Sequence, residues 1–234
     1  MRTRVISLLL AFLLVFGGIV PVSAADSAES ALGYVDVPEG AWFNDAVAYM
    51  TAEGYMVGMS EDYFRPEGEL TRGQFVTILH RLDGTPAVAY SDRFSDVPDN
   101  KWYTTAILWA EENGIVRGYG NGIFGVDDLI TREQMVVMMH RFVSEYRGLK
   151  MEGEAELSAF SDEEQVSGYA RDAVKWAVFN GLIQGSAGSD GVKLLPRASA
   201  TRAQCAAIIQ RFMDKLNSIT PPGKEDELPM IPLN

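Results

Sequence analysis

Three tetrapeptides place an arginine directly behind a threonine: TRGQ at 71–74, TREQ at 131–134 and TRAQ at 201–204. A guanidinium can grip a carboxylate through two parallel charge-assisted bonds, which lysine cannot do. Its position here is odd. The first turn of a helix presents unpaired N–H groups and the positive end of the macrodipole, so a fixed cation is mildly unfavourable there unless an anion arrives. Two chemistries would satisfy Arg72, Arg132 and Arg202. One is an acidic ligand at the helix start. The other is a surface pair with a nearby Asp or Glu, usually worth under ~1 kcal/mol. The residues alone leave both open.

The elements that carry these arginines are written three times. Thr71, Thr131 and Thr201 fit the N-cap, and Gln74, Gln134 and Gln204 follow at capping-box spacing. Behind them, Phe75, Ile78, Leu79 and Leu82 have the i, i+3, i+4, i+7 spacing of a buried stripe. So do Met135, Met138, Met139 and Phe142, and Cys205, Ile208, Ile209 and Phe212. Cys205 is read as a core residue, since it shares a column with Phe75 and Met135. His80 and His140 share another column with Gln210 and are expected near helix C-termini, where partial protonation is tolerated. They show no metal-ligand spacing.

Each copy also contains an earlier helix, marked by Ala46, Val47 and Met50, by Ala106, Ile107 and Trp109, and by Ala173, Val174 and Trp176. Gly54, Gly114 and Gly181 end it in the left-handed conformation. A turn through Gly58, Gly118 or Gly185 and a short extended piece around Phe64, Phe124 or Leu194 lead to the second helix. Copies one and two align without a gap at an offset of 60. Copy three needs one extra residue before Tyr169 and three more in its loop GSAGSDG, and it lacks the Val-Pro after its aspartate. Trp42, Trp102 and Tyr169, which follow Asp36, Asp96 and Asp162 by six or seven residues, are expected to staple the first helix by packing, with ligand contact as the other reading.

Arg2, Arg4, the uncharged run Val5–Val20 and the small residues up to Ala24 form a secretory signal peptide pattern. Removing those two of the 20 basic side chains leaves 18 against 32 acidic, a formal charge of −14. That balance argues against nucleic acid as a partner. With one cysteine, Cys205, an exported chain has no internal disulfide and relies on packing. The organisation read from the sequence is a signal peptide at 1–24, a linker at 25–33, repeats at 34–83, 94–148 and 160–214, and a Pro-rich acidic tail at 215–234. No Ser/His/Asp, zinc or paired-carboxylate constellation stands out, so no enzymatic activity, metal or cofactor is expected.

The stretch FSDVPDNKWYTTAILWAEENGIVRGYGNGIF, followed by LITREQMVVMMHRF, resembles an S-layer homology unit. The resemblance covers roughly Tyr34 to Phe212 and all three copies. It implies a mainly α fold with short extended segments and loops. Three units would stand in a pseudo-threefold arrangement, with one helix from each in a central three-helix bundle and grooves between adjacent units. It implies non-covalent anchoring of a secreted protein to the bacterial cell wall by a secondary cell wall polysaccharide, often carrying pyruvylated sugars. By the same resemblance the binding residues are Asp36, Trp42 and Arg72; Asp96, Trp102 and Arg132; and Asp162, Tyr169 and Arg202. Any groove relying on divergent copy three is expected to be the most degenerate. The alternative is an extracellular protein-interaction or structural surface-layer module whose glycan sites have decayed. The tail either recruits another surface protein or leaves the chain to coat the wall alone.

Overall fold

In the computed structural model, residues 33–151 and 153–219 are described; the signal-peptide reading, most of the linker and the tail beyond Ile219 lie outside them. Six α-helices dominate: α1 (Asn44–Ala52), α2 (Arg72–Leu82), α3 (Thr104–Glu112), α4 (Arg132–Arg141), α5 (Arg171–Phe179) and α6 (Arg202–Ile219). The chain is mainly helical, as its periodicity predicts. The extra loop residues of repeat three form a small antiparallel hairpin, β1 (Ser186–Gly188) with β2 (Gly191–Lys193).

The second helix of every repeat starts with the expected capping box. The hydroxyl oxygens of Thr71, Thr131 and Thr201 accept from the N–H of Gln74, Gln134 and Gln204, and each glutamine side chain accepts from the threonine N–H in return. The stripes behind them are buried, including Phe75, Met135 and Cys205. Burial pushes the Cys205 thiol up to about 12, which keeps it protonated and unreactive.

Helices pair across the repeats rather than within them. α2 packs on α3, α4 on α5, and α6 returns to α1. Three buried residues just ahead of the second helices close a ring of main-chain bonds: Leu70 donates to Ala200 (3.0 Å), Ala200 to Ile130 (3.0 Å) and Ile130 to Leu70 (2.9 Å). Every repeat therefore depends on both others for backbone satisfaction, and a buried N–H without a partner would cost about 1–3 kcal/mol.

The turn glycines have a shared reason. A Cβ at Gly58 would lie 2.6 Å from the Tyr34 ring, one at Gly118 2.6 Å from Phe94, and one at Gly185 2.9 Å from Phe160. The aromatic that opens each repeat thus lies directly against the turn.

The histidines stand in the last turns of α2 and α4 as expected, but their protonation departs from expectation. His80 donates from Nε2 to the Pro86 carbonyl at 2.8 Å and stacks 5.2 Å from Trp109, while His140 lies 5.1 Å from Trp176. Burial pushes both below the ordinary 6.5, so helix-end protonation is disfavoured rather than tolerated. A base with a depressed folded pKa stabilises the fold above its unfolded pKa and loses that contribution as pH falls through the folded one. Tm should therefore drop on acidification from about pH 7 to about pH 5. Thermal melts of His80→Gln/His140→Gln, which borrow the glutamine of repeat three, should show a shallower slope over that range.

Candidate functional site

The repeated aspartates act on backbone. Asp36 accepts from the N–H groups of Phe64 (2.9 Å) and Arg65 (2.8 Å), Asp96 from Phe124 (2.8 Å), Gly125 (2.7 Å) and Val126 (3.3 Å), and Asp162 from Leu194 (2.7 Å) and Leu195 (2.8 Å). Arg65, Gly125 and Leu195 all have positive φ, at 61°, 82° and 52°. For the two non-glycine residues this conformation is costly, and the carboxylate offsets the cost by taking both neighbouring donors. Burial pushes the Asp96 carboxyl up, but its three main-chain donors outweigh that and hold it below the usual carboxylate range.

The arginines of the tetrapeptides grip the opposite side of the same segments. Arg72 Nε donates to the Phe124 carbonyl (3.2 Å), Arg132 Nε to Leu194 (2.9 Å) and Arg202 Nε to Phe64 (2.8 Å). One residue of each extended piece is therefore held by a carboxylate at its N–H and by a guanidinium from another repeat at its C=O. Arg72 and Arg202 also lie over the Phe124 and Phe64 rings, 4.7 and 4.4 Å from the centroids. These arginines are only 3%, 7% and 6% exposed, so burial lowers their pKa, although arginine stays charged. Among the described residues none of the three forms an ion pair, so the surface-pair reading fails.

The helix mouths are not open either. Arg72 N–H donates to Asp128 and Gly73 N–H to Val126; Arg132 and Glu133 reach Ala198 and Pro196; Arg202 and Ala203 reach Gly68 and Pro66. With the threonine cap on the third donor, the first turn is fully satisfied, and an anion would have to meet guanidinium rather than free N–H groups.

The aromatics correct a second expectation. Trp42, Trp102 and Tyr169 are 62%, 62% and 60% exposed, and the two tryptophans only lean edge-on against Phe43 and Tyr103. They form walls of three grooves, each assembled from three repeats. In the first, Trp42 faces Arg132 across the turn Leu182–Ser186 and α6. In the second, Trp102 faces Arg202 across the turn Tyr55–Met59 and α2. In the third, Tyr169 faces Arg72 across Arg117–Tyr119 and α4. Repeat three contributes to every groove, so its divergence is not confined to one of them. The tyrosine in place of tryptophan has a local partner: its hydroxyl donates at 3.2 Å to buried Glu133, which also accepts from the N–H and hydroxyl of Ser167.

A second arginine per groove escaped sequence reasoning. Arg81 and Arg141, in the last turns of α2 and α4, and Arg211, at the matching position midway along the longer α6, line the Trp102, Tyr169 and Trp42 grooves. Each ends a stripe at i, i+3, i+4, i+7: Gln74, Thr77, Ile78, Arg81 and its two counterparts. The signal was the recurring Arg in HRL, HRF and QRF. Each groove thus presents at least two guanidiniums, a glutamine and an exposed aromatic wall, and among the described residues no carboxylate lines it. Among the described residues, no cluster of three or more His, Cys, Asp or Glu is placed to hold a metal, and no helix is long and apolar enough to cross a membrane.

Comparison with known proteins points the same way. The S-layer homology domain model matches residues 33–76 and 93–136. An endoglucanase of Bacillus sp. (strain KSM-635) is 32% identical over 91% of this chain and 22% of its own length. An amylopullulanase of Thermoanaerobacterium thermosulfurigenes is 32% identical over 76% of this chain and 9% of its own. The surface-layer 125 kDa protein of Lysinibacillus sphaericus is 28% identical over 88% and 16%. The chain therefore spans less than a quarter of these relatives.

Proposed function

Since the chain belongs to the S-layer homology domain family and is a surface protein associated with the cell wall, we propose that it anchors by binding an acidic secondary cell wall polysaccharide, pyruvylated sugars included, in the three grooves. The observation that carries this reading is the repeated meeting of an exposed aromatic, a buried arginine and a second arginine nine residues further along the chain from a buried one, each from a different repeat. The aromatic face covers the C–H surface of a sugar ring, and the arginine pair takes its acid group. Each buried guanidinium spends its Nε–H and one terminal N–H on the scaffold, Arg72 at Arg117, Arg132 at Gln204 and Arg202 at Val57, and keeps the remaining N–H donors of its five for the groove. The aspartates take part indirectly, by fixing the segments on which the arginines rest. We further infer that the repeats at 34–83, 94–148 and 160–214 are three units about a pseudo-threefold axis, with the second helices gathered around it; the closed ring of Leu70, Ile130 and Ala200 supports this.

Cavities of about 250, 180 and 290 Å³ fall just below the ~300–1,000 Å³ of drug-sized pockets. Each groove accordingly takes one or two sugar residues. Holding power then comes from several grooves on one polymer, where linked sites raise avidity by about 10²–10⁴ over a single site. This arrangement suits a tether better than a reaction centre, and we propose no catalytic activity for the chain.

Sedimentation with purified walls tests the reading. The chain should be retained on intact walls and released once the polysaccharide has been extracted. Undiminished retention on extracted walls would instead identify a protein or peptidoglycan partner, and hydrolysis of wall fragments would restore an enzymatic role.

A further inference from the structure

The grooves differ in charge, and the difference lies in the turn. Val57, Arg117 and Gln184 occupy equivalent positions in the three turns, so among the described residues only the Tyr169 groove has a third guanidinium, beside Arg72 and Arg141. The second arginines, Arg81, Arg141 and Arg211, differ too. Arg81 donates to the Tyr55 carbonyl at 3.1 Å and Arg211 to the Leu182 carbonyl at 3.3 Å, whereas Arg141 has no hydrogen bond or ion pair among the described residues. Arg117 is exposed, and its side chain likewise has neither. Burial, and then the neighbouring Arg117 charge, lower the Arg141 pKa, with Glu145 and Tyr169 offsetting in part. Asp128, near the groove rim, is already engaged by the Tyr119 hydroxyl at 2.9 Å.

Like charges facing one groove repel, Glu145 near Arg141 and Asp128 and Asp96 near Arg72 offset that only in part, and a bound anion removes the rest of the cost. One carboxylate offers two oxygens and a single charge, enough for one guanidinium fork. A phosphate monoester offers three oxygens and a charge of about −1.5 to −2 at pH 7. Resting on the glycan-binding reading above, we propose that the Tyr169 groove is the subsite for a phosphorylated saccharide, with Arg117 and Arg141 as the residues that distinguish it from a singly charged acidic sugar. Tyr169 and Tyr119 supply ring faces for the sugar, so the site takes a phosphorylated saccharide in preference to the bare anion.

The test is two-dimensional NMR titration of the chain, with tyrosine ring signals reporting on the Tyr169 groove and the indole signals of Trp42 and Trp102 on the other two. The probes are N-acetylglucosamine 6-phosphate, an N-acetylhexosamine bearing a pyruvyl ketal, and inorganic phosphate. The phosphorylated sugar should perturb Tyr169 first. Arg117→Gln should weaken it about tenfold, the loss of one charge-assisted contact, and weaken the ketal about twofold or less. Gln184→Arg, an exposed change, should move phosphosugar binding into the Trp42 groove. The inference is overturned if Arg117→Gln leaves phosphosugar affinity unchanged, if it weakens both sugars equally, or if inorganic phosphate binds as tightly as the phosphosugar. In those cases ketal shifts at Trp42 and Trp102 would leave the broader glycan reading standing. If no probe perturbs any groove, both readings fall.

Discussion

Replacing Arg202 by alanine should lower the stability of the fold by about 2–4 kcal/mol, whether or not a ligand is present. Arg202 donates to Phe64 and, at 2.6 Å, to Val57, and lies over the Phe64 ring. Hydrogen bonds to a charged group are worth about 1.5–3 kcal/mol and a cation–π contact about 0.5–2. Truncation also strands the carbonyl of buried Phe64, whose N–H Asp36 holds. Arg72, with a 3.2 Å bond and two rings, should follow closely, and Arg132, whose partner is Leu194 and not an aromatic, should cost least. In a domain of this size each kcal/mol shifts Tm by about 2–4 °C, so calorimetry should show a fall of about 4–16 °C for Arg202→Ala. Unchanged melting would mean that these arginines are not structural. If melting falls as expected, lost wall binding in the alanine variants is a folding defect as much as a ligand defect, which makes them poor probes of recognition.

The side chains that separate binding from folding are the exposed ones. Trp42→Ala, Trp102→Ala and Tyr169→Ala remove groups about 60% exposed, so each tryptophan change should alter stability by about 0.5 kcal/mol or less. Tyr169 should cost slightly more, because its hydroxyl helps to hold Glu133. The triple variant should lose wall retention by about 100-fold, since each aromatic belongs to a different groove and avidity collapses when several sites fail together. Arg81→Gln and Arg211→Gln should each weaken retention in a way that high salt mimics, because these guanidiniums act at the groove surface. Sedimentation at several salt concentrations, paired with melting curves, separates the two classes of residue. Full retention by the triple aromatic variant at unchanged Tm would show that the grooves are not the wall contact.

Local chemistry was legible in the sequence. Capping boxes, buried stripes, the left-handed Gly54, Gly114 and Gly181, and the core position of Cys205 all follow from spacing within a dozen residues. What the faces meet was not. α1 finds α6 at the other end of the chain, and Asp36 binds N–H groups 28 and 29 residues away. A carboxylate that accepts from backbone reads in sequence like one that accepts from a sugar. The Thr-Arg arginines raised a sound question with an incomplete answer. Their first debt is to carbonyl oxygens of another repeat, which satisfy a cation at a helix start as an anion would. Arg81, Arg141 and Arg211 stand directly behind the column of His80, His140 and Gln210, and a lone arginine beside a core stripe reads as part of a solvated face. Their surface stripe, polar at both ends, was visible at the same 3.6-residue period as the core stripe.

The most direct measurement is a crystal structure of the chain soaked with an acidic fragment of the wall polysaccharide. The account predicts a sugar ring lying over the indole of Trp42 or Trp102, with its acid group within about 3 Å of the guanidinium nitrogens of Arg132 and Arg211 or of Arg202 and Arg81. Saccharide bound elsewhere, with those grooves empty at saturating fragment, would contradict it.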